Sequence, residues 1–428
     1  MNLLVTVARA TASAFLALPL TCGGVAVPAF AAEPALTLSN LRATAVTTVT
    51  TGVVHTSYRA GTGGPWFVNV LTISPDLAAL TVGGTIGAGM STSQTTTSML
   101  RGVAGRQPYA GINGGFFDNE VAGDMGGISV HNGRVLSEAK KGGTALVLQH
   151  GRPYITELGT VLTLRSGTNA RELDGINRTP GRSGHCGGAG PGDTYHPGGA
   201  CTNPSEIVSF TQEYGGPTPK PGTLTNTTTD DDPGVEAVLN ADGVVTALHQ
   251  GRGGRIVPPG GHILQGIGAG AQWLRVNARP SGRLVLGEKV IDLRFKEDLP
   301  LGPSLYATAG GDLLVRDAAV VYDGAMKESN PRTAIGADGA GRLLLVTVDG
   351  RDPKHSVGAT RLEMAQLMKD LGAVDAVNMD GGGSTTMVVR DRIVNQPSDP
   401  VSTAVPHGQQ RPVADAIFVA PGGYGLHS

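Results

Sequence analysis

Residues 342–386 read RLLLVTVDGRDPKHSVGATRLEMAQLMKDLGAVDAVNMDGGGSTT, and this stretch sets the architecture expected for the chain. Residues 342–348 are almost all Leu or β-branched, as in a strand buried on both faces. That run ends at Asp349-Gly350-Arg351. Residues 360–371 have helical spacing. Thr360 and Glu363 form a capping box, Leu362, Ala365, Met368 and Leu371 share one face, and Gly372 ends the run. Residues 373–379 are a second buried strand. A strand–helix–strand unit of this length predicts two parallel strands joined by a right-handed crossover. Asp349 and Asp380 then lie at the carboxyl ends of their strands, on the edge where open α/β sheets bind ligands.

The second strand leads into Asn378-Met379-Asp380-Gly381-Gly382-Gly383-Ser384-Thr385-Thr386. Three glycines permit positive φ and close approach of a ligand to the main chain, and free amides in such a loop form an anion-binding nest. A tight hairpin turn is the plain alternative. Three consecutive glycines between a carboxylate and three hydroxyls favour a site. Upstream, Ile112-Asn113-Gly114-Gly115-Phe116-Phe117-Asp118 repeats the pattern of an apolar lead-in, a glycine turn and a carboxylate.

The chain has 428 residues, 40% hydrophobic but only 4% aromatic, so its core is built from Val, Leu, Ile and Ala. A net charge of −2 gives no global field for nucleic acid or an anionic membrane. Residues 1–31 read as a secretory signal, with Arg9 before an apolar stretch and Ala29-Phe30-Ala31 as the cleavage region. A lipid anchor at Cys22 is the weaker reading, and no later stretch is long enough to span a membrane. The mature chain is expected to be secreted. Export leaves Cys186 and Cys201, fifteen positions apart in a Gly/Pro-rich loop, and a disulfide is expected. A metal site with His185 and His196 is the lesser alternative, and no other His shows ligand spacing.

Short strand signals fill residues 32–104, including 66–73, and a helix is expected over 92–100. Hairpins are predicted at His131-Asn132-Gly133 and Asn240-Ala241-Asp242-Gly243. Regular periodicity fades over 165–235, which holds Gly175-Ile176-Asn177-Arg178 and Asp230-Asp231-Asp232. The Asp run suits either a solvated loop or a structural calcium ion. Residues 235–239, 244–248, 263–266, 273–276 and 289–295 read as strands. The expected fold is α+β or mixed α/β, a large mixed sheet with few helices. An N-terminal β-rich portion, 32–104, packs on a catalytic domain, 105–428.

Five motifs, in order, give the chain a family resemblance: residues 112–118, 175–178, Pro331-Arg332-Thr333-Ala334-Ile335-Gly336, Val348-Asp349-Gly350-Arg351, and 378–385. Together they resemble the phosphodiester glycosidases across about residues 105–420. The resemblance implies hydrolysis of the sugar C1–O bond of a sugar-1-phosphodiester, such as an N-acetylglucosamine-1-phosphodiester. Glycosidic cleavage passes through an oxocarbenium-like state served by paired carboxylates. The candidates are Asp380, Asp349 and Asp118. Arg332, Arg351 and Arg178 suit phosphate. Asn113, Gly114, Gly115, Asn177, Thr333, Asn378, Gly381, Gly382, Gly383, Ser384 and Thr385 are expected to bind substrate. No catalytic metal or cofactor is expected, and the partner is a sugar-phosphate or cell-wall-type glycan. Two other readings stand beside this one: a metal-dependent phosphodiesterase cutting P–O, and a non-catalytic glycan binder. No Gly-x-Ser-x-Gly elbow points to an esterase.

Overall fold

A computed structural model describes residues 36–60, 64–74, 79–118, 124–140, 142–183, 194–195, 201–222 and 231–422. The chain divides into Met1–Glu33, which lies outside the described residues, and Pro34–Ser428. The signal expected over 1–31 therefore falls outside the description, as do Cys186 and Asp230.

The segment quoted above folds into the strand Leu343–Val348, the helix Arg361–Asp370 and the strand Ala373–Asn378. The capping box forms as read, with the Glu363 carboxylate reaching back to the Thr360 amide at 2.8 Å. The helix turns Met364, Ala365, Leu367 and Met368 inward, while Leu362 faces solvent. The expected stripe was therefore rotated at its first turn. The two strands run in the same direction, but they are not neighbours. The strand Arg332–Asp338 lies between them, antiparallel to both. Their carboxyl ends still meet at one sheet edge, and the amino end of Arg332–Asp338 joins them there. This places Asp349, Arg332 and Asp380 on three consecutive strand ends.

That sheet has eight strands. Leu41–Thr50, Val53–Ala60 and Phe67–Ile73 flank one side of the trio, and Leu313–Arg316 and Ala319–Val320 flank the other. Its strand pairs are all antiparallel. One face carries Val68, Val70, Leu344, Val346 and Val348 against the helix. The other carries Leu71, Ile73, Leu345, Ile335 and Val377 against Ile112, Met387, Ile417 and Val419 of a five-stranded sheet. The period-2 alternation of these strands explains the two separate cores.

Several expectations are corrected. Among the described residues a set of sheets replaces the one large mixed sheet: two of eight strands, two of five and one of three, nearly all antiparallel. Residues 32–104 share sheets with the rest of the chain, as Phe67–Ile73 pairs with Leu343–Val348 and Leu80–Thr85 pairs with Ala416–Pro421. Residues 273–276 belong to the helix Gly268–Asn277, not to a strand. Glycines at its start weaken the helical signal, but Ala271 and Leu274 are buried and Asp232 accepts a hydrogen bond from the Gly268 amide at 2.8 Å. The hairpin at Asn132-Gly133 has positive φ at both residues, as a type I′ turn requires.

Candidate functional site

The three strand ends are pinned to one another by main-chain bonds. The Met379 amide donates to the Thr333 carbonyl at 2.8 Å, and the Gly382 amide donates to the Pro331 carbonyl at 2.8 Å. Asn113 fastens the upstream glycine turn to this edge. Its side-chain amide donates to the Asp380 carbonyl at 2.7 Å, and its Oδ1 accepts from Thr333 Oγ1 and the Thr386 amide. The Asp380 amide in turn donates to the Gly114 carbonyl. The two glycine loops thus form one rigid unit, and Asn113 spends its polar atoms holding it.

Asp380 is half-buried beside Gly381 and Gly382. Burial pushes its pKa up to about 6, against the opposing influence of Ser384 and Arg411. The Ser384 hydroxyl lies close enough to temper the rise without meeting hydrogen-bond geometry. Asp349 is 1% exposed. Its Oδ2 accepts from His355 Nε2 and from the Gln396 amide, each at 2.8 Å, while Oδ1 is buried without a partner. Burial raises its pKa, and the His355 bond opposes the rise.

Two arginines meet these carboxyls at the same edge. Arg332 is 7% exposed, yet it donates only to the carbonyls of Ala359 and Glu328. Its pKa is lowered by burial, then by Arg361 and Arg351. Arg351 has φ +64°, rare for a side chain with a Cβ. Its guanidinium bonds Asn330 Oδ1 and Ser398 Oγ and lies against Gly382, where a Cβ would stand 3.0 Å from Nη2. Among the described residues, neither arginine has a carboxylate within ion-pair distance. Arg351 is exposed to solvent, but Arg332 is a buried cation, which is costly without a counter-ion unless an anion arrives to pair with it.

The remaining loop positions make contacts within the turn and its supports. Thr333 and Thr385 are buried and face each other at 3.4 Å. The Asn378 side chain donates to the Met379 carbonyl, leaving Oδ1 buried and unpartnered. At Gly383 a Cβ would come within 2.3 Å of both Arg411 and Asp399, which form a two-bond ion pair. Gly114 and Gly115 pack on Asp415, whose Oδ1 accepts from the Gly115 amide at 2.8 Å.

Asp118, Asn177 and Arg178 lie elsewhere. Asp118 pairs with Arg182 at 3.1 Å. Arg178 is buried and fully engaged by Glu138 and Glu206, and its charged form is held well above the ordinary range by those carboxylates despite burial. Asn177 locks Leu136 to Thr211. Arg178 also donates to the Arg182 carbonyl at 3.3 Å, which links it to the Asp118–Arg182 pair. The sequence placed Arg178 with the phosphate-binding arginines; its ion pairs leave the guanidinium no open side.

Two participants were overlooked. Asp415 is fully buried, accepts from Thr308 Oγ1 at 2.9 Å, and is pushed up to about 6 by burial. It stands alone before the last strand, with no glycine motif to mark it. His355 carries no sequence signal for its bond to Asp349, because that bond depends on a turn that folds back on itself. Among the described residues no group of three His, Cys, Asp or Glu side chains is arranged for a metal. Asp232 uses both oxygens on the Gly234 and Gly268 amides.

Residues 233–420 match the family model described as phosphodiester glycosidase. N-acetylglucosamine-1-phosphodiester alpha-N-acetylglucosaminidase of Bos taurus is 29% identical over 157 residues, 33% of this chain and 29% of that protein. The chain thus spans less than a third of the length of that relative. A Burkholderia pseudomallei K96243 protein named for its expected export has a solved structure with TM-score 0.69 and 28% identity, covering 84% of this chain and 75% of that one. A hypothetical protein from Synechocystis shares the fold, with TM-score 0.63 and 17% identity over 87% of this chain and 62% of its own.

Proposed function

We propose that this chain is a secreted hydrolase cleaving the sugar C1–O bond of a sugar-1-phosphodiester, a reading supported by the match of residues 233–420 to the phosphodiester glycosidase model. One observation carries the reading: among the described residues neither the buried Arg332 nor the exposed Arg351 has a carboxylate partner at the sheet edge that carries Asp349 and Asp380. An anionic phosphodiester supplies the missing counter-charge, and planar guanidinium groups suit its paired oxygens. The sugar then lies over Asp380, at the exposed rim of the glycine loop. Phosphate is a good leaving group, so stabilising the oxocarbenium-like sugar matters more than protonating the departing oxygen. An ionised Asp380 serves that need. The bovine relative's name supports N-acetylglucosamine as the sugar.

Secretion rests on the residue 1–31 pattern and on the name of the Burkholderia relative. Cys201 is buried in a short strand, and a bridge from it to Cys186 belongs to the same proposal.

Hydrolysis of a sugar-1-phosphodiester in ¹⁸O water is the test. Label in the sugar product is expected. Label in the phosphate product would mean P–O cleavage and would overturn the proposal. Absence of turnover across a panel of sugar-1-phosphodiesters would favour a glycan binder instead.

A further inference from the structure

We propose that His355 is the base that activates the hydrolytic water, and that Asp349 is the residue that orients it. The inference rests on the glycosidase reading above and divides the labour between the two carboxylates of the site.

The geometry begins with Asp349 Oδ2. This oxygen accepts the Gln396 amide proton at 2.8 Å, and it is taken as the acceptor toward His355 as well. His355 Nε2 lies 2.8 Å from the same oxygen. The shared proton therefore sits on Nε2, and the ring's basic lone pair is on Nδ1. Nδ1 makes no hydrogen bond among the described residues, and the side chain is 19% exposed. Asp349 has no such access at 1% exposure and offers Oδ2 only through the histidine. A carboxylate in this position suits orientation of the imidazole and stabilisation of the imidazolium better than attack on a sugar.

The ring is fixed from several sides. It packs on Phe67 with centroids 5.0 Å apart, and Arg59 lies over the same Phe67 ring at 4.6 Å. Its main chain closes a turn in which the His355 and Ser356 amides donate to the Asp352 carbonyl, and Ser356 Oγ donates to the Asp349 carbonyl at 2.6 Å. The charged groups facing it are Asp349 from the strand, Asp352 in its own turn and, through Asp352, His407 at 3.9 Å from that carboxylate. Lys354 is its chain neighbour.

In the step, Nδ1 takes a proton from water, and the water oxygen bonds to the anomeric carbon. The C1–O bond breaks, and its electron pair leaves on the phosphate oxygen, giving a free sugar and a phosphomonoester. The imidazolium then returns its proton to solvent. Asp380 stays ionised over the sugar throughout.

The test compares wild type, His355→Ala and His355→Asn on a sugar-1-phosphodiester. Wild-type kcat/KM is expected to rise with pH as the imidazole loses its proton. Both variants are expected to lose about 10²-fold or more in kcat, within the usual range for a general base, with little change in KM. They should lose that rising limb as well, and added imidazole should restore part of the His355→Ala rate. Asp349→Asn should shift the same limb to lower pH. An active wild type with unaltered kcat and pH profile in His355→Asn would overturn this inference and leave the glycosidase reading standing. No turnover by wild type would overturn both.

Discussion

Arg332 sets the terms at the scale of single residues. A guanidinium buried against carbonyls, without a carboxylate, is retained at a cost to stability. Replacing it with an apolar chain of similar length removes that cost together with the proposed phosphate ligand. Arg332→Met is therefore expected to keep or raise the urea midpoint while lowering kcat/KM by about 10²-fold or more, in line with loss of a charge-assisted contact of about 3 kcal/mol. A parallel fall in stability and activity would mark Arg332 as scaffold. Asp118 and Arg178 each hold an ion pair that sequence does not display.

Among the elements, the Gly381–Gly383 turn makes the strongest demand on its sequence. Gly382 has φ +60° and Gly383 has no room for a Cβ beside Arg411 and Asp399. Gly383→Ala is expected to push apart the Arg411–Asp399 pair, cost about 1–3 kcal/mol of stability as overpacking does, and displace the Asp380 carboxyl. Denaturation curves with activity assays at a temperature where both proteins stay folded would check this. Wild-type stability and rate in that variant would show that the loop has slack. The element was legible: strand, helix, cap and glycine stop in 342–386 all formed close to where the sequence placed them. The helix Gly268–Asn277 was not, because its glycines conceal a segment stabilised by burial and by Asp232.

For the whole molecule, burial of carboxyl groups sets the pH response. Asp415 has a folded pKa of about 6 against an ordinary value of 3.8. The native state therefore holds a proton that the unfolded chain releases earlier. Stability from this group is fully present below about pH 4 and is lost as pH rises through 6, by about 3 kcal/mol in total. Asp380 contributes in the same direction. Asp415→Asn keeps an acceptor for the Gly115 amide but does not titrate. Its stability relative to wild type is expected to increase between pH 4 and pH 7, read from urea unfolding at each pH. A constant difference across that range would show that Asp415 is ionised in the fold from low pH.

The sequence by itself determined the local elements, the two glycine loops and the carboxylates and arginines they carry, because periodicity, capping and turn chemistry act over a few residues. It also gave Asp349 and Asp380 a common edge, since a crossover helix makes its two strands parallel. Only the tertiary structure decided that an antiparallel strand would enter between them and bring Arg332 to that edge. It alone left Arg332 and Arg351 without carboxylates, engaged Arg178 with two, and joined His355 to Asp349. Strand order and charge pairing depend on groups far apart in the chain, and their energies are set by burial, which no local stretch of sequence records.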